Sequence, residues 1–164
     1  MPTRVLLIHG SAADRTTWSI QLASPVLQQR FSLIAYDRPP LASVEEQADL
    51  ALAYLDSPAL VVGSSFGAVI ALEVIRRRPP LGTAPPLGAV LIEPPLGAPM
   101  ESFLGDFDRR AAEQGGPAAA EFFLRSVLGD TAFERMPRAY RERATAKYAE
   151  IRADSAALIA YRPR

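Results

Sequence analysis

The chain has 164 residues, 49% of them hydrophobic and 22% charged, which fits one ordinary globular domain with a substantial core, or one and a part. Its 18 basic and 18 acidic residues cancel, so no net field draws nucleic acid or an anionic membrane, and the expected partner is a small, roughly neutral molecule. There is no cysteine and a single histidine, which argues against disulfides, thiolate chemistry and catalytic zinc or iron, so neither a metal nor a cofactor is expected.

Taken in chain order, the first apolar run is Val5 to Ile8, too short for the core of a secretory signal. Similar compact runs recur at Phe31 to Tyr36, Leu60 to Val62 and Ala89 to Ile92. They lack strict polar alternation and have helix-like segments between them, so they read as four buried strands of a mostly parallel sheet in an α/β fold. The first crossover, Thr16 to Gln29, is compatible with a helix but contains Pro25, which predicts a kinked or short one. Ser43 and Glu46 form a capping box opening a helix to Leu55, with Val44, Ala48, Ala51, Leu52 and Leu55 near one face. A further helix is predicted over Phe66 to Arg78, its last turn holding three arginines that suit the negative end of the dipole, with Pro79 and Pro80 forbidding continuation.

Pro79 to Gly88 has no periodicity and reads as a connector. Beyond Glu93 the character changes, with Pro94, Pro95, Gly97 and Pro99 forming a break. Two helical pieces follow, Ala118 to Leu128 and Arg138 to Ala160. The second spaces Tyr140, Ala144, Tyr148, Ile151 and Leu158 as an amphipathic stripe suited to core packing. The longest later apolar stretch, Ala68 to Ile75, is interrupted by Glu73 and followed by arginines, so no span of a bilayer is expected and the cytoplasm is the default location.

Gly63, Ser64, Ser65, Phe66 and Gly67 form GxSxG between an apolar strand and an amphipathic helix. A strand that turns sharply into a helix there presents Ser65 alone above the sheet, and Gly63 and Gly67 leave the room this needs. The start of the helix also points free backbone N–H groups at the space beside the serine, making the Phe66 N–H a candidate donor to an oxyanion. Neither GxGxxG nor a P-loop is present, which argues against a phosphate site.

With His9 and Gly10 closing the first strand, Trp18 downstream, Asp37 and Arg38 after the second strand and the elbow at Ser65, the chain resembles the α/β-hydrolase superfamily over about Val5 to Glu93. The resemblance implies an α/β-hydrolase core over residues 1–98 and a helical cap over 99–164. It implies Ser65 as nucleophile, the N–H of Ser11 as the second oxyanion donor beside Phe66, and a bracing role for His9 in the oxyanion loop. Asp37 and Arg38 are expected to stabilise a turn. Glu93, at the end of the fourth strand, occupies the position where some members place the catalytic acid.

The family order is nucleophile, acid, then histidine. No histidine follows His9, so the sequence is expected to lack the part that carries the base and to be nearly inactive alone. Its fourth strand is expected to form an open edge that invites an oligomeric partner or a completing chain. Three functions follow: a serine hydrolase of small esters, thioesters or amides; a non-catalytic or incomplete module binding a ligand or partner; or a cofactor-independent lyase or peroxidase on the same fold. Phe103, Leu104, Phe107, Phe122 and Phe123 suit either an apolar acyl group or helix packing.

Overall fold

A computed structural model of the chain describes residues 2–77, 84–97 and 100–163. Strands β1 (Thr3–Ile8), β2 (Phe31–Ala35), β3 (Ala59–Ser64) and β4 (Pro86–Ile92) form one parallel sheet in the order β2-β1-β3-β4. The chain moves outward to β2, returns past β1 to β3 and continues to β4, so the direction of winding reverses between β1 and β3. In doubly wound sheets ligands settle in the crevice beyond the carboxyl ends of the strands at such a reversal.

The pleat of β1 sends alternate side chains to opposite faces. Leu6 and Ile8 join Val61 beneath α3 (Val44–Ala53) and α4 (Phe66–Arg76), whereas Val5 and Leu7 pack with Trp18 on the other face. Both faces are therefore apolar, as a parallel sheet requires. The capping box at the start of α3 forms in an altered version. The Ser43 hydroxyl accepts the Glu46 N–H at 3.1 Å, but the Glu46 carboxylate accepts from Ala42 N–H, at 2.9 Å, one residue before the cap. The predicted apolar face of α3 is buried, from Val44 to Leu55 just beyond the helix.

Pro25 divides the first crossover as expected, into a 3-10 turn (Arg15–Trp18), α1 (Ser19–Ala23) and α2 (Pro25–Gln28), the last with proline in its first turn where a missing N–H costs nothing. Helix α4 ends at Arg76. Arg76 and Arg77 reach Glu73, and Arg77 also pairs with Asp49 of α3, so these two arginines act through ion pairs as well as the dipole. Arg78 and residues 79–83 of the expected connector lie outside the described residues, and β4 already begins at Pro86.

The C-terminal part holds more helix than the sequence reading anticipates. Helix α5 (Met100–Gln114) precedes α6 (Gly116–Leu128), and α7 (Asp130–Arg135) follows it. The single helix expected over Arg138 to Ala160 is two, α8 (Arg138–Thr145) and α9 (Tyr148–Ala160), joined through Ala146 and Lys147. This break takes Tyr140 off the common stripe and leaves it at the surface, while Ala144 and Ile151 stay buried. The aromatic residues Phe103, Phe107, Phe122, Phe123 and Tyr148 pack on one another in a separate apolar cluster. Helix α9 belongs to both cores: Ile151 lies in the helical cluster, and Ala157 in the cluster under the sheet. Its end is tied to α4 by the Tyr161 hydroxyl, which donates to the buried Glu73 carboxylate at 2.8 Å.

Among the described residues, β4 pairs on one side only and forms an uncovered edge of the sheet. Leu87, Val90, Leu91 and Ile92 are between 38% and 58% exposed, on both faces of the strand. Apolarity on both faces is the pattern of an interior strand, placed here where only one side is paired. Among the described residues, no helix is long and apolar enough to cross a membrane.

Candidate active site

The loops after β1 and β3 leave the sheet side by side, because Ile8 lies opposite Gly63 in the β1–β3 register. Ser65 is the residue between β3 and α4, with φ 53° and ψ −123°, a conformation that strongly disfavours a side chain. Its N–H donates to the carbonyl of Ile92 at 2.8 Å, tying the turn to the end of β4. The flanking glycines have no substitute here: a Cβ at Gly63 would overlap the carbonyl of Gly67, and one at Gly67 would overlap the carbonyl oxygens of Ile8 and His9. Gly10 closes the other side, where an added Cβ would lie 3.0 Å from the Ser65 Cβ and 3.5 Å from its Oγ. The backbone after β1 therefore runs directly beside the serine hydroxyl. Phe66 opens α4, so its N–H is among those that a helix leaves without an internal acceptor.

Ala12, Ser65 and Glu93 are the non-glycine residues with positive φ among the described residues, and they follow β1, β3 and β4 respectively. Strained backbone thus collects at one end of three adjacent strands, as it does where a fold holds groups in place for chemistry. The Glu93 side chain is exposed to solvent.

His9 is buried, and both ring nitrogens are engaged. Nδ1–H donates to the Gly10 carbonyl at 2.8 Å, and Nε2 accepts the Arg38 backbone N–H at 3.2 Å. This assigns the tautomer and leaves no lone pair free for a proton from Ser65. Burial and the neighbouring Arg38 charge lower the His9 pKa from 6.5 to about 4, so the ring is neutral at pH 7.

Arg38 does more than close a turn. Its guanidinium is buried, donates from Nε to the His9 carbonyl at 3.1 Å and from Nη2 to the Gly10 carbonyl at 3.2 Å, and lies 5.1 Å over the Phe66 ring. It also grips Asp154 of α9 through both carboxylate oxygens, at 2.8 and 3.2 Å. The same carboxylate accepts the Ser11 hydroxyl at 2.7 Å. Asp37, by contrast, is at the surface and accepts the Arg15 N–H at 2.8 Å.

Asp154 is absent from the sequence reading, although a signal exists. It stands three residues after Ile151 and four before Leu158, which puts a carboxylate on the apolar stripe of its own helix. The phenylalanines considered for acyl binding are occupied with each other: Phe103 stacks on Phe122 and Phe107 on Tyr148, so they read as the core of the helical segment. No group of three or more metal-ligating side chains occurs among the described residues.

Comparison with known proteins agrees with this arrangement. Residues 5–164 match the model of the Alpha/beta hydrolase family. Among solved structures, an alpha/beta hydrolase from Sphaerobacter thermophilus DSM 20745 superposes with a TM-score of 0.73 at 21% identity, over 96% of this chain and 66% of the other. A hydrolase from Pseudomonas aeruginosa PA01 gives 0.70 at 18%, over 96% and 64%. Est816, described as an N-acyl homoserine lactone degrading enzyme, gives 0.65 at 19%, over 98% and 65%. At these identities the likeness is one of fold, and the chain spans just under two thirds of the length of these structures. No curated protein sequence matches the chain. The chain belongs to the α/β-hydrolase family.

Proposed function

We propose that this chain forms the nucleophile-bearing part of a serine hydrolase acting on a small ester, thioester or amide. The observation that carries this reading is Ser65 itself, strained at positive φ at the reversal of winding, with the loop after β1 packed against its Cβ. In the proposed reaction the Ser65 Oγ attacks the substrate carbonyl and gives its proton to a base. The N–H groups of Phe66 and Ser11 stabilise the oxyanion, the alcohol, thiol or amine departs, and water then releases the acid from the acyl-serine. The helices after residue 99 act as a cap over this end of the sheet.

His9 is not the base in this proposal, because its nitrogens serve Gly10 and Arg38. The base comes instead from polypeptide that adds a parallel strand to the open edge of β4. Neighbouring strands lie about 4.8 Å apart, so the carboxyl end of such a strand would be about 10 Å from the end of β3, within reach of a short loop. Glu93, at the end of β4, lies where it could orient an imidazole delivered there. A second reading, a module that binds without turnover, is favoured by the engagement of the only histidine.

One experiment separates the two. Hydrolysis of p-nitrophenyl acetate by the 164-residue chain is measured with imidazole added as a base, against the Ser65→Ala variant. Turnover above the imidazole background that vanishes in the variant supports the hydrolase; equal rates in the two proteins support the binding module.

A further inference from the structure

The loop proposed to supply the second oxyanion donor is held from the helical segment and not only from the sheet. Three observations meet at Ser11. Its hydroxyl donates to Asp154 at 2.7 Å, across 143 positions of sequence. Its neighbour Ala12, at φ 58°, is buried in the same cluster as Phe107, Ala120 and Ile151. The carbonyl of Gly10, in the peptide that also contains the Ser11 N–H, takes hydrogen bonds from His9 Nδ1 and Arg38 Nη2.

The peptide is planar and trans, so its N–H points opposite to its C=O. Pinning the Gly10 carbonyl toward Arg38 turns the Ser11 N–H to the other side of the loop. Arg38 is in turn held by both oxygens of Asp154, whose side chain is only 2% exposed. Asp154 thus acts on this peptide twice, through the Ser11 hydroxyl and through Arg38.

We propose that Asp154 is a positioning residue: seated on α9 between the two apolar cores, it sets the direction of the Ser11 N–H, so that Ser65 chemistry depends on how the helical segment is docked. This rests on the hydrolase reading above. Asp154 has no contact with the reacting atoms in this proposal.

The test uses the 164-residue chain with imidazole present, and reads two quantities. One is the rate at which a fluorophosphonate modifies Ser65, since its phosphoryl oxygen takes the oxyanion position; the other is backbone hydrogen exchange at Ser11 and Ala12 by NMR. Ser11→Ala removes the link while leaving the Arg38–Asp154 pair intact. It is expected to slow modification by roughly tenfold, less than the loss of a whole oxyanion donor, and to speed exchange at both amides by a similar factor. The melting temperature should fall only a few degrees, and Ser11→Thr, which keeps the hydroxyl, should restore both readouts. Asp154→Asn should slow modification at least as much, and the double variant should be no slower than Asp154→Asn alone. If Asp154→Asn does not fold, the Ser11 series decides. Unchanged exchange and modification in Ser11→Ala, or additive losses in the double variant, would overturn the proposal. If the wild-type chain is not modified at Ser65, the hydrolase reading fails, and exchange alone decides whether Asp154 orders the loop.

Discussion

The strain at Ser65 can be measured without any substrate. A non-glycine residue held at φ 53° and ψ −123° costs about 1–3 kcal/mol relative to a relaxed backbone. Replacing Ser65 with glycine removes the Cβ that causes the cost. Glycine returns about 0.5–1 kcal/mol of that gain as conformational entropy of the unfolded chain. Ser65→Gly should therefore stabilise the protein by about 1 kcal/mol, a rise of about 2–4 °C in melting temperature for a chain of this size. Ser65→Ala keeps the Cβ and loses only the hydroxyl, so it should stay within about 0.5 kcal/mol of wild type. Urea denaturation of the three proteins, read by circular dichroism, gives the comparison. A glycine variant no more stable than the alanine variant would mean that the turn at Ser65 is not strained.

Because the His9 pKa is held at about 4 in the fold against 6.5 in the open chain, the unfolded state binds more protons between these values, and stability is full above pH 6.5 and falls as pH drops toward 4. The loss between pH 7 and pH 5 should be about 2 kcal/mol, and His9→Gln should remove most of this dependence; parallel profiles for the two proteins would contradict the neutral, buried assignment. At the open edge, Val90 and Ile92 are 51% and 40% exposed, so lysine at both positions should reduce concentration-dependent association in sedimentation velocity, whereas wild type that stays monomeric at high concentration would show that the edge is not sticky.

The sheet was legible because its strands are short apolar runs between helices with plain stop and start signals, such as Ser43 before α3 and Pro25 within the first crossover. The turn at Ser65 was equally readable, since GxSxG carries its own steric reason. Less visible was the C-terminal part. Helix α5 follows a proline-rich break whose sequence holds no capping motif, and the break between α8 and α9 carries neither proline nor glycine. Asp154 was missed because periodicity sorts residues into faces but does not say which buried carboxylate has a partner 116 positions away. Arg38 was seen only as a turn residue for the same reason. Its hydrogen bonds to His9, Gly10 and Asp154 are tertiary, and no local pattern encodes them.

Ser65, as proposed above, is a nucleophile waiting for a base, and the intact mass of the 164-residue chain after exposure to a fluorophosphonate, with and without imidazole, followed by peptide mapping, tests this. Loss of a triad base lowers such reactivity on the order of 10⁴-fold or more, so modification should be slow alone and faster with imidazole. One adduct per chain, on Ser65 and dependent on imidazole, is the predicted result. Adducts scattered over other residues, or none under conditions where the chain is folded, would contradict it.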